Sequence, residues 1–351
     1  MTAPPSHPKD ADAIATVVTP DEAWLAQQPA EAILEPDLPI VDPHHHLWQR
    51  RGHRYMLEEL VADTGSGHRV VATVFVDCVA FYRAEGPAEQ RVIGETEFAN
   101  GIAAMSASGL FGPTRACAGI VSHARLTLGA AVREVLGAHL RAGNGRFRGI
   151  RHAAAWDASP KIHDGHTRPT QHLYADPVFR AGFAQLAPLG LSFEAWQYHP
   201  QLPDVTALAR AFPDTTIVLN HCGGPLGVGP YQGQAEATFA QWKRDLLELA
   251  RCPNVVVKVG GLGMRITPFH LDRRPVPAGS AELAAAWKPW VETCIEAFGA
   301  QRCMFESNFP VDKVSTGYAG LWNAFKRLAA GASADEKTAL FSGTASRVYR
   351  L

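Results

Sequence analysis

Eight short apolar runs, separated by stretches of helical periodicity, constrain this chain more than any other feature. The runs span residues 39–46, 70–78, 117–123, 147–152, 191–196, 216–221, 255–259 and 303–309. Several are continuously apolar rather than alternating, as expected of parallel strands covered on both faces. Amphipathic segments follow at 126–140, 177–189, 204–212, 239–250, 280–298, 318–328 and 334–341. Eight strands alternating with helices predict an α/β protein folded as a (β/α)8 TIM-like barrel. An open doubly wound sheet is the competing topology, but no GxGxxG follows the first run. Residues 1–37 read as an N-terminal arm, Pro- and Ala-rich at first, with a helix over 21–33. Residues 38–351 read as one catalytic barrel.

Composition excludes some function classes. The chain has 33 basic and 34 acidic residues, with no basic run for nucleic acid. No apolar stretch reaches membrane-spanning length. The six cysteines form no CxxC pair and several lie in apolar runs, so they read as reduced core residues of a cytoplasmic protein. The N-terminus lacks a charged-then-apolar leader pattern. The expected partner is a small molecule. A homo-oligomer is compatible with the sequence.

In such a barrel the chemistry gathers where the strands end. The first run ends in Asp42-Pro43-His44-His45-His46, and side chains alternate along a strand, so Asp42, His44 and His46 share a face. Two imidazoles so placed can grip a divalent ion, hold a substrate oxygen or share a proton. His221 ends the sixth run ahead of Gly223-Gly224-Pro225, and is a third metal ligand or a general acid. Glu194, inside the fifth run, needs a partner there. It ligates metal, supports a ligand histidine or pairs with Arg151. Lys258, inside the seventh, binds an anionic substrate or neutralises Glu194. Arg151 has the fork to orient a substrate carboxylate. His152, His199, Tyr82 and Trp156 complete the expected substrate-binding set.

Three motifs together resemble the amidohydrolase superfamily: Asp42-Pro43-His44-His45-His46-Leu47-Trp48, His221-Cys222-Gly223-Gly224-Pro225 and Ser307-Asn308-Phe309-Pro310-Val311-Asp312. They are most similar to its lactonase-like branch, which includes sugar-acid lactonases and 2-pyrone-4,6-dicarboxylate lactonase. The resemblance implies a distorted (β/α)8 barrel that hydrolyses a lactone or related carbonyl compound, with His44 and His46 as the paired histidines of strand one and His221 as the strand-six histidine. At strand eight the family usually has Asp, whereas this chain has Asn308, which cannot take a proton at neutral pH.

The expected enzyme is therefore a hydrolase opening a small lactone, carboxylate-bearing in one version, by attack of activated water. His44, His46 and His221 hold a divalent metal such as zinc, or act without one, since the branch includes members that look metal-independent. Asn308 positions the water, and a carboxylate, Glu194 or Asp312, or else one of the histidines His44, His46 and His221, accepts its proton. The competing readings are a decarboxylase or lyase on the same scaffold, and a ligand-binding barrel that has lost catalysis.

Overall fold

The computed structural model describes residues 17–351. Ten strands and eleven α-helices follow in chain order among them. The strands are β1 (Ile40–His45), β2 (Trp48–Arg50), β3 (His53–Tyr55), β4 (Val70–Val76), β5 (Arg115–Ser122), β6 (Phe147–Arg151), β7 (Ser192–Ala195), β8 (Ile217–Leu219), β9 (Val255–Val259) and β10 (Cys303–Phe305). The helices are α1 (Glu22–Leu25), α2 (Leu57–Thr64), α3 (Ile93–Ala107), α4 (Val132–Ala142), α5 (Pro177–Phe183), α6 (Leu202–Ala211), α7 (Ala235–Ala250), α8 (Ser280–Phe298), α9 (Tyr318–Leu328), α10 (Ala334–Thr338) and α11 (Thr344–Tyr349).

All eight apolar runs are strands of one parallel sheet, in the order β1-β4-β5-β6-β7-β8-β9-β10. The sheet closes on itself where His45 bridges Phe309. There Asn308 donates its backbone N–H to the His44 carbonyl (2.9 Å) and His46 donates to that of Phe309 (2.8 Å). The result is a (β/α)8 barrel. Helices α2 to α9 each follow one of its strands, and the β2–β3 hairpin inserts after β1. An inner cluster of Val41, Val74, Val76, Val121, Val218, Val256 and Met304 is completed by Ala345 and Tyr349 of α11. A second, larger cluster joins strands to helices.

Asp42 fastens the closing seam. Fully buried, it accepts the Ser307 backbone N–H (3.0 Å) and hydroxyl (2.6 Å), and the Tyr318 hydroxyl (3.0 Å). Burial pushes its pKa up to about 6.

Two helical expectations are corrected, and one helix, α3, was not anticipated. The helix over 21–33 is only α1, capped by Asp21 (Trp24 N–H to Oδ1, 3.0 Å). Pro29 lacks an N–H and turns Gln28 away from helical geometry. The chain beyond is strapped to α8 and α9 instead: Ser280 N–H donates to Glu31 (2.6 Å) and Lys326 Nζ to the Leu34 carbonyl (2.7 Å). Residues 1–16 of the expected arm lie outside the described residues. The 126–140 segment breaks at Gly129 (φ 60°, ψ −143°), and only α4 beyond it is α-helical. Helix α3 had no amphipathic signature, because Ala, Gly and Ser fill much of it and Glu95 and Thr96 are among its buried residues. All six cysteines are free and buried. No helix among the described residues is long and apolar enough to cross a membrane.

Asp42→Ala strands the Ser307 and Tyr318 donors and should cost about 2–4 kcal/mol, read as a lowered urea midpoint. A second expectation concerns acid. His45 donates or accepts at Thr73 Oγ1 (2.8 Å), and His139 lies between Thr96 Oγ1 (2.7 Å) and the His123 carbonyl (3.0 Å). Burial lowers both to about 3 from an ordinary 6.5. The unfolded chain then binds protons that the folded one does not. Stability is full above pH 6.5 and should be lost progressively as pH falls toward 3. His139→Gln should flatten part of that slope, and an unchanged slope would show that His139 does not set it.

Candidate active site

A cavity of about 290 Å3 opens at the strand ends, with His46, Arg151, His221 and Asn308 on its wall. His44 lies beneath it, fully buried. Ring centroids are 4.9 Å apart for His44 and His46 and 4.5 Å for His44 and His221. His45 faces away, toward Thr73 and Cys117, as strand alternation requires.

Between His44 and His221 sits Glu306, one residue past β10. Its Oε1 takes the His221 Nδ1–H (2.7 Å) and backbone N–H (3.1 Å). Its Oε2 is 2.8 Å from His44 Nδ1 yet receives no aligned hydrogen bond. Burial pushes Glu306 up to about 8, with Lys258 pulling it down. His44 has Lys258 Nζ 3.4 Å from Nδ1 and Arg151 Nη1 3.4 Å from Nε2. Burial, then Lys258, holds its pKa well below the usual range. Burial first, with Arg151 next, does the same for His46 and His221. All three imidazoles are neutral at neutral pH. His46 donates Nδ1–H to the Val76 carbonyl (2.9 Å) and stacks on Trp48 (5.8 Å), which leaves its Nε2 a free lone pair.

The Gly260–Gly263 loop exists to let these groups in. A Cβ on Gly260 would meet Glu306 at 2.5 Å, and one on Gly261 the His221 ring at 2.5 Å. Gly261 has φ +66°, and His221 and Asn308 are themselves left-handed at +53° and +54°. For residues other than glycine that conformation costs energy, which is held here by surrounding contacts.

The other expected residues take varied places. Glu194 pairs with Lys258 (2.9 Å), both fully buried, and also accepts from Asn220 and the Tyr349 hydroxyl. Its ion-pair partner is thus Lys258 and not Arg151. Arg151 binds Asp77 through Nε (2.6 Å) and reaches the Asp77 carbonyl with Nη2, leaving Nη1 toward His44. Asp312 accepts from Asn308 Nδ2 and from Gly263 N–H, both at 2.8 Å, and burial pushes it up to about 8. It fixes Asn308 and is not among the cavity-lining groups. His152 accepts from the Leu126 N–H (3.1 Å), and His199 from that of Leu226 (3.3 Å), behind the strands. Trp156 bonds Gln201 through its backbone (3.1 Å), and Tyr82 is half-buried against the core. None of these four lines the cavity.

Sequence reasoning placed Glu306, Asp77 and His123 at strand ends without giving them a role, and passed over Arg50 and His166. Glu306 had a signal, a lone acid closing an apolar run. Arg50 had none: it lines the cavity only because the β2–β3 hairpin folds over the mouth. There it stacks on Trp48 (4.1 Å) and donates to the Cys78 carbonyl (2.7 Å).

A closed parallel barrel with neutral imidazoles and a buried carboxylate beneath a mouth cavity is a catalytic architecture. The chain belongs to the amidohydrolase family, which it matches over residues 41–351, and it is an enzyme of that family. The uncharacterized protein y4mH of Sinorhizobium fredii is 30% identical over 340 residues, 90% of this chain and 99% of that protein. An L-fucono-1,5-lactonase of Burkholderia multivorans is 32% identical over 181 residues, 50% of this chain and 57% of the lactonase. A solved amidohydrolase structure from Burkholderia multivorans, with bound zinc, superposes with a TM-score of 0.67 at 24% identity, covering 89% of this chain and 99% of that one.

The family brings a divalent metal into question, and the donor set fits one. Ligand-type atoms of His44, His221 and Glu306 lie within 4.8 Å of one another. Two neutral imidazoles and a carboxylate suit zinc. Lys258 and Arg151 are each paired with their own carboxylates, Glu194 and Asp77, so Glu306 is the carboxyl group in the cage without an ion-pair cation of its own.

Gly261→Ala tests the cradle. Displacing the His221 ring by about 1 Å should lower turnover by about 10²-fold while the protein stays folded. Wild-type turnover in this variant would mean that the His221 position does not govern the reaction.

Proposed function

We propose that this enzyme opens a small lactone bearing an anionic group, by attack of water on the ring carbonyl. The observation that carries the reading is the buried His44–Glu306–His221 array directly under the cavity. The lactonase relative, matched over half of this chain, supports the substrate class. His44, His221 and Glu306 would hold a divalent ion, which supplies Lewis-acid polarisation when bound.

The remaining steps belong to the chain's own side chains. Asn308, held by Asp312, positions the water. His46 takes its proton at Nε2, because Nδ1 already donates to Val76, and gives it to the ring oxygen as the acyl C–O bond breaks. Arg151 Nη1 stabilises the developing oxyanion in a nearly dry site. Arg50 has no carboxylate partner among the described residues and binds the substrate's anionic group from its platform on Trp48. Glu194 keeps Lys258 neutralised below the site. With both its oxygens engaged, as are those of Asp312, it leaves the proton-accepting role to an imidazole.

The test is a panel of sugar-acid lactones and carboxylated pyrones, followed by proton release and by product mass. Ring opening should add the mass of one water. His46→Ala should lower kcat by about 10²-fold or more. Arg50→Met should raise KM for anionic lactones while sparing neutral ones. Release of carbon dioxide from the candidate acids would overturn the hydrolase in favour of a decarboxylase.

A further inference from the structure

Outside the histidine array, the barrel mouth carries a second group of ligand-type side chains. Asp77 directly follows β4, His123 directly follows β5, and His166 lies in the loop between β6 and α5. One such atom from each lies within 4.8 Å of the others. We propose that Asp77, His123 and His166 form a second divalent-cation site, separate from the one beneath the cavity and suited to zinc.

Each residue presents the right atom. Asp77 is fully buried, and its Oδ1 is taken by Arg151 Nε (2.6 Å). Its Oδ2 receives no hydrogen bond, although His166 Nε2 is 3.1 Å away, out of line to donate. A buried carboxylate oxygen with no donor is costly, and a cation answers it. His123 donates Nδ1–H to the Arg151 carbonyl (2.9 Å), which leaves Nε2 unprotonated, the form a metal requires. The His123 carbonyl is in turn held by His139 Nε2 (3.0 Å). The His123 and His166 rings meet edge-on, with centroids 5.8 Å apart.

The loop bearing His166 is tied back to the strand end, so its place is set before any ion arrives. Gly165 N–H donates to the Ala155 carbonyl (2.7 Å), and Thr167 Oγ1 to that of Ala153 (2.6 Å). Two imidazoles and a carboxylate leave one position open, and His166 lines the cavity. An ion here therefore adds positive charge to the cavity wall. Asp77 shares its charge with Arg151, so this site binds more weakly than the one at Glu306 and fills second.

The experiment is equilibrium dialysis of chelator-treated protein against zinc chloride, with bound metal counted by mass spectrometry. Wild type should hold one equivalent more than His166→Gln, whose loop position leaves the barrel intact. His123→Gln should lose the same equivalent. His221→Gln should keep it, which separates this site from the inner one and from any question of substrate. Zinc should raise the melting temperature of wild type by more than that of His166→Gln. Equal zinc stoichiometry in wild type, His166→Gln and His123→Gln would overturn the proposal and leave Asp77–His166 as an ion pair alone.

Discussion

Everything at the barrel mouth depends on one carboxylate that has no cation of its own. Glu306 lies between two imidazoles in a fully buried cage, where an isolated negative charge is expensive. The cage accommodates it by close packing rather than by solvent. Gly260 and Gly261 remove the Cβ atoms that would keep Glu306 and His221 out, and β10 delivers the carboxylate from below. The two cations nearest His44 do not neutralise Glu306, because Glu194 and Asp77 hold them. The charge pattern is two closed pairs around one open carboxylate. Burial, with Lys258 and Arg151 beside it, keeps the histidines neutral and therefore available as ligands or bases.

The same pairs explain why lysine and arginine can lie inside a barrel at all. Lys258 is completely buried, which is tolerable only with a hydrogen-bonded partner. Glu194 is held from three sides, by Lys258, Asn220 and Tyr349. Arg151 is held by side-chain and main-chain oxygens of one residue. Neither group can swing far, so the field they cast on His44 is fixed by the scaffold. Fixed charges of this kind need little reorganisation during a reaction.

Much of this was legible in the sequence. Apolar runs, several of them continuous, marked every barrel strand, because a strand covered on both faces has little polar side to disguise it. Polar residues closing those runs marked the mouth, and His44, His46, His221 and Asn308 do meet there. Pairing was not legible. That Lys258 meets Glu194, or Arg151 meets Asp77, depends on which strand ends face each other across the barrel, and periodicity along the chain carries no such information. Neighbours set by loops were equally hidden. Arg50 reaches the cavity through a hairpin and His166 through a tied-back loop, and neither segment has the repeat that identifies a strand or helix. The short α1 and the silent α3 show the two ways local pattern fails. One is a proline that ends a helix early, the other a helix whose small residues leave no apolar stripe.

Asp42 and Ser307 are bonded across 265 positions of sequence, and Tyr349 reaches Glu194 across 155. The ends of the barrel thus meet at its working centre. Closing such long loops costs chain entropy that is recovered only when the last contacts form. A partly folded barrel, however many helices it already has, holds Glu306 apart from His44 and leaves Glu194 without Tyr349. The charge network is therefore complete only when the first and last strands of the ring have met, so the site is a property of the closed barrel and of no part of it.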